Sequence, residues 1–180
     1  MLQIKVPIGS ERWDDEKEEF IEPESCVLNL EHSLVSLSKW EAKWCKPFLS
    51  SIKTDEETLD YIKCMTLGNN VDPDVYNHLT PDNVKDIEQY INAPMTATTF
   101  RDDKRAKPNR EIVTSDIIYY WMITLQIPPE YRYWHLNRLL ALIRVCNIKN
   151  TPPKKMPRRE TAEYYSKLNA ERKKKMNTKG

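Results

Sequence analysis

Apolar residues occupy every second position at the amino terminus. Leu2, Ile4, Val6 and Ile8 alternate with Gln3, Lys5 and Pro7, the period of a strand with one buried face. Pro7 lacks the N–H that a central strand needs, which places this strand at an edge. Cys26, Leu28 and Leu30 repeat the alternation, so a short β pair is expected, with the acidic run ERWDDEKEEFIEPE as a solvated connection. At Glu31 the period changes. Leu34, Leu37, Trp40 and Trp44 recur three or four residues apart, which predicts a helix that stops before Pro47. Thr54 and Glu57 form a capping box for a second helix carrying Leu59, Ile62 and Met65, ended by Gly68-Asn69-Asn70. Thr80 as cap and Pro81 at the first helical position open a third, with Val84, Ile87 and Ile91 as its stripe and Pro94 as its bound.

In the second half, residues 95–100 hold three threonines and a phenylalanine and favour a strand. Its expected partner is 111–113, across the polar loop RDDKRAKPNR. Thr114 or Ser115 can cap a helix over 116–126, Pro128-Pro129 forces a turn, and a further helix is expected over 131–148. These two helices are the most apolar part of the chain and predict an antiparallel hairpin. NTPPKKMPRRE then reads as an extended basic linker, and 160–176 as a marginal helix with little apolar content. The expected fold is mainly α (α+β). A helical body over 31–150 carries the apolar hairpin, small β elements lie near the amino terminus and mid-chain, and the tail over 151–180 is basic. Residues 1–30 form a short β region with its acidic connection.

Length and composition narrow the picture. A chain of 180 residues suits one domain with a tail. Three glycines are too few for turn-rich sandwiches or for phosphate-cradling loops. The net charge of +1 conceals a division: residues 1–100 carry 9 basic and 19 acidic side chains, and residues 101–180 carry 19 basic and 8 acidic. Such asymmetry implies an anionic partner for the basic end, or two halves that attract. Cys26, Cys45, Cys64 and Cys146 show no CxxC spacing. The first residues lack the apolar run of a signal peptide, and no stretch approaches a membrane span. The expectation is a chain neither secreted nor membrane-spanning, with free thiols in a reducing cytoplasm.

The same residues offer little chemistry. His32, His78 and His135 are far apart, and no second Cys/His pair completes a zinc site with Cys26. No nucleophile elbow, metalloprotease, P-loop or dinucleotide motif is present. No catalytic residue, metal or cofactor is therefore expected. The aromatics say more. Helices that are apolar right round must be buried on all sides or leave a face for a partner, and both readings stay open for the hairpin. Its candidate partner-binding residues are Ile118, Trp121, Met122, Leu125, Trp134, Leu139 and Leu142. In the tail, Lys154, Lys155, Arg158, Arg159, Lys173, Lys174 and Lys175 are candidate contacts to an anionic surface. With stacking aromatics limited to Tyr164 and Tyr165, a solvated tail or an acidic protein surface is favoured over nucleic acid.

The stretches LEHSLVSLSKWEAKWCKPFL, TLDYIKCMT, IIYYWMITLQIP and WHLNRLLALIRVCNIKN, with the following PPKKM, resemble tail assembly chaperones of long-tailed, siphovirus-like bacteriophages. The similarity covers residues 28–180. It implies a non-structural assembly factor in the bacterial host cytoplasm. Such a factor binds the tape measure protein, keeps its apolar helices soluble, helps tail tube protein polymerise around it, and is absent from the mature virion. The family also implies a longer, frameshifted form of the same protein as a further partner, and leaves room for a homo-oligomer. The alternative of a different class is a structural virion component, such as a head–tail connector or tail terminator, using the same apolar hairpin to form a ring.

Overall fold

The computed structural model describes residues 1–9, 12–14, 19–21, 24–68, 71–100, 111–151 and 158–177. Strand β1 (Leu2–Ile8) pairs antiparallel with β4 (Glu24–Leu30), setting Leu2 opposite Leu30, Ile4 opposite Leu28 and Val6 opposite Cys26. Ile4, Val6, Leu28 and Leu30 all point into the core, as two-residue alternation requires. Pro7 lies opposite Ser25 in this two-stranded sheet, where both strands are edges. The acidic run is more than a connection: β2 (Arg12–Asp14) pairs with β3 (Glu19–Ile21), Trp13 opposite Phe20. Aromatic residues favour a pleated backbone even in charged surroundings.

Helix α1 (Leu34–Trp44) opens on a capping box made by Ser33 and Ser36, and α2 (Asp55–Met65) on the one made by Thr54 and Glu57. Leu34, Leu37 and Trp40 are fully buried. The two helices pack together, and the indoles of α1 bind them: Trp40 Nε1 donates to the Glu57 carbonyl at 2.8 Å, and Trp44 Nε1 to Asp60 Oδ2 at 2.9 Å. Lys46 pairs with the Glu57 carboxylate. Together with the Thr54 N–H it holds that carboxyl below the usual carboxylate range. The second helix ends at Met65, before Gly68, because Thr66 turns extended to bridge Leu30, and Leu67 N donates to the Asn29 carbonyl at 2.8 Å. Asn69 and Asn70, expected at this helix end, lie outside the described residues.

A 3₁₀ helix (Pro73–His78) supplies buried Val75 and Tyr76. It leads to α3 (Pro81–Asn92), capped by Thr80 and Asn83, with Ile87 and Tyr90 buried. Residues 95–100 form no strand. Met95 takes a left-handed φ of 49°, which breaks an extended run, and 111–113 are irregular as well. The loop 101–110 lies outside the described residues. The β character found mid-chain lies instead in two isolated bridges, Leu30 to Thr66 and Ser33 to His135.

Both helices of the expected hairpin form, as α4 (Ser115–Thr124) and α5 (Leu136–Asn150), and α4 packs against α1. The second is shorter than the periodicity predicts. A 3₁₀ turn (Pro129–Tyr133) precedes it, and Trp134 is extended so that His135 can bridge Ser33, while Leu136 N donates to the His32 carbonyl at 2.7 Å. The chain divides into two units, Met1–Asn147 and Ile148–Gly180. The second holds α6 (Arg158–Met176), and 161–176 are half-exposed or exposed.

Candidate partner-binding groove

Helix α5 has two apolar faces. Leu136, Leu139 and Ile143 recur at i, i+3 and i+7 and are buried. Arg138, Leu142 and Val145 recur on another face, Trp134 precedes the helix, and there the chain leaves a groove. Its walls are α5 and the irregular segment that follows α3. Asn137 holds that segment in place, its Nδ2 donating to the carbonyls of Ile91 and Ala93 at 2.9 Å each. His135 Nε2 meets the Tyr90 carbonyl at 3.0 Å. The Asn137 backbone N–H donates to His135 Nδ1 at 3.3 Å, so Nδ1 is the acceptor and Nε2 carries the proton.

The resulting groove has a volume of about 240 Å³ and is lined by Thr96 and Thr98 on one side and by Trp134, Arg138, Ala141, Leu142 and Val145 on the other. Trp134 and Arg138 also line an adjoining cavity of about 350 Å³ with Met1, Glu31, Met95, Tyr133 and His135. The Trp134 indole stacks on Tyr131, centroids 3.9 Å apart, and the Arg138 guanidinium lies 4.0 Å from its ring centre. Further along α5, the Arg144 guanidinium lies 4.2 Å from the Phe100 ring centre. An arginine held over an aromatic ring covers apolar surface.

The structure separates the residues singled out from the sequence. Trp134 and Leu142 meet in the groove. Ile118, Met122 and Leu139 are corrected to core: the first two face inward from α4, and Leu139 lies on the buried face of α5. Trp121 and Leu125 are half-buried against the core and do not line the groove. The exposed apolar side chains of α4 are Tyr120 and Ile123, at 64% and 77% exposure. Neither stood out in the sequence, because an all-round apolar helix gives no contrast between faces. Of the tail residues, Arg159 pairs with Glu163 at 3.3 Å. Arg158 opens α6, and Lys173, Lys174 and Lys175 are exposed in its last turn. Lys154 and Lys155 lie outside the described residues.

A second cluster is buried. His32 Nδ1 lies 2.5 Å from the Tyr61 hydroxyl, and its ring packs edge-on against His135 with centroids 5.1 Å apart. Burial, and then the neighbouring His135, push the His32 pKa down to about 3; burial also lowers His135 and raises the Tyr61 phenol. Both histidines are neutral core residues that join the amino-terminal segment to α5. His78 sits on the surface beside Asp74. Among the described residues no three His, Cys, Asp or Glu side chains are grouped to hold a metal, and no helix is long and apolar enough to cross a membrane. All four cysteines carry free thiols.

Fold and site together define a mainly helical protein with an apolar groove along one helix, lined by one arginine, Arg138. No protein-family model, curated protein or solved structure matches the chain.

Proposed function

We propose that this chain is a tail assembly chaperone of a long-tailed bacteriophage, and that it holds apolar helical segments of the tape measure protein in the groove along α5. The observation that carries the reading is the groove itself. Trp134, Leu142 and Val145 leave apolar surface concave and open, on WHLNRLLALIRVCN, one of the stretches that resemble the family. A long helical protein exposes apolar stripes as it is made, and a helix-in-groove partner masks them. Holding requires no nucleotide, since binding to exposed surface acts by mass action. Masking by this protein would also hand the tape measure to tail tube subunits.

Co-expression with the tape measure protein of the same phage genome tests this. The wild-type chain should keep the tape measure in the supernatant. Val145→Asp and Leu142→Ser should keep their far-ultraviolet helical signal but lose that protection. A tape measure that stays soluble with both variants, or that precipitates with the wild type, overturns the reading. Mass spectrometry of purified virions should lack the protein. Its presence at the copy number of a ring would assign it to the virion structure instead.

A further inference from the structure

We propose that His135 is a pH-sensitive latch on the groove: the neutral ring fastens the wall that follows α3 to the start of α5, and a protonated ring releases it. This deepens the proposed function by naming a regulation of the same site, and its consequence for a partner rests on that reading.

The latch is built at the first turn of α5. His135 immediately precedes the helix, and its carbonyl accepts from the Leu139 N–H at 3.1 Å. The ring supplies the cap, because Nδ1 accepts from the Asn137 backbone N–H at 3.3 Å. Nε2, which carries the proton, donates to the Tyr90 carbonyl in the last turn of α3. Asn137 completes the fastening with its side chain, on the carbonyls of Ile91 and Ala93. Thr96 and Thr98 line the groove a few positions further along that wall.

This fastening requires a neutral imidazole. The neutral ring has one donor and one acceptor nitrogen, whereas an imidazolium has two donors and no acceptor. Protonation sets N–H against N–H at Asn137, and places a positive charge at a helix start, where the backbone dipole opposes it. The ring must then turn, which gives up the Tyr90 carbonyl, or the first turn of α5 must shift, which takes Asn137 off Ile91 and Ala93. Either movement frees the wall.

The surroundings offer the charged ring another partner. Glu31, between β4 and α1, lines one cavity with His135. Its carboxylate accepts from the Tyr90 hydroxyl at 2.7 Å and pairs with the Met1 ammonium at 2.8 Å. An imidazolium turned toward Glu31 gains an anion. The Met1 ammonium opposes it, and Arg138 and the Tyr133 phenol line that cavity too. His32, packed between His135 and Tyr61 of α2 and held down to about 3, stays neutral at mild acidity. Burial keeps the His135 pKa below its usual value, against the Tyr90 hydrogen bond and the Glu31 charge. A released ring recovers that usual value, about 6.5, so acid favours the released form.

Nuclear magnetic resonance on the full chain tests this without any partner. At pH 7 the ring nitrogen shifts should place the His135 proton on Nε2. As that ring titrates, the backbone order parameters of Thr96 and Thr98 should drop from about 0.85 to below about 0.6, the values of rigid and flexible backbone. Those of Leu37 in α1 and Ile62 in α2 should stay rigid. His135→Gln, neutral at every pH, should make the order of Thr96 and Thr98 independent of pH. Order unchanged while the ring titrates, order lost in α1 and α2 at the same pH, or a pH-dependent loss that persists in His135→Gln overturns the inference. Should that variant fail to fold, the wild-type midpoints decide, and ring and wall midpoints more than about one pH unit apart overturn it. Because the readout is the chain's own backbone, a tape measure that precipitates beside the wild type sinks the proposed function and leaves the latch standing. A wall that stays rigid in acid sinks the latch alone.

Discussion

The Glu41 carboxylate caps a helix 74 residues away: its Oε2 accepts a hydrogen bond from the Ser115 backbone N–H at 2.7 Å. Its other oxygen, Oε1, accepts from the Phe48 N–H at 2.8 Å. One side chain on α1 thus closes the loop after its own helix and satisfies a free donor at the start of α4. Thr114, the residue in the N-cap position, makes no side-chain cap. Glu41→Ala should therefore cost about 1–2 kcal/mol in urea unfolding, since a cap and a hydrogen bond to a charged group are lost together. Thr114→Ala should stay within about 0.5 kcal/mol. The reverse order of effects would show that α4 is capped locally.

Stability should fall on mild acidification because of His32. Its folded-state pKa is lowered to about 3, while in the unfolded chain it returns to about 6.5. The unfolded state then binds a proton that the folded state refuses, so stability is lost as pH drops below the unfolded value. Between pH 7 and pH 5 the loss from His32 is about 2 kcal/mol, and His135, shifted the same way, adds to it. Urea midpoints at the two pH values check this, with His32→Gln as the reference that should show a shallower dependence. Identical midpoints for the wild type at both values would contradict the buried neutral pair.

Substitutions on neighbouring positions of α4 should differ sharply. Met122 faces the core and Ile123 faces solvent. Met122→Lys should abolish cooperative thermal unfolding, because a buried charge without a partner is expensive. Ile123→Ser should stay within about 0.5 kcal/mol of the wild type. On α5, Leu139→Ala should cost about 2–5 kcal/mol.

Removing residues 151–180 should leave the thermal midpoint of the remaining chain within about 2 °C, a fraction of a kcal/mol at this size. Residues 161–177 are half-exposed or exposed, so they contribute little burial to lose. A fall of about ten degrees would mean that the tail is docked on the body.

Some of this was legible in local pattern. The capping boxes at Thr54 and Thr80 involve residues three apart, and each appears where its motif stands. The strands β1 and β4 follow from alternation, and the Leu34, Leu37 and Trp40 stripe from helical spacing. The groove was legible in part. Trp134 and Leu142 were singled out, but Arg138, which lies between them and rims the groove, was not, because a charged residue on a helix reads first as a solvated one.

The sequence by itself determined where most helices begin and which residues start the core, since capping and periodicity act within a few residues along the chain. Tertiary structure decided the rest. It made Met122 core and Ile123 surface, cut the last body helix short at His135 so that the chain could bridge Ser33, and turned residues 95–100 from an expected strand into the wall of a groove. It also gave His32, Tyr61 and Glu41 partners that lie between 29 and 103 positions away. The physical reason is range. A free N–H, an apolar face or a buried imidazole states what it needs in the sequence, and only the packed chain says which distant group supplies it.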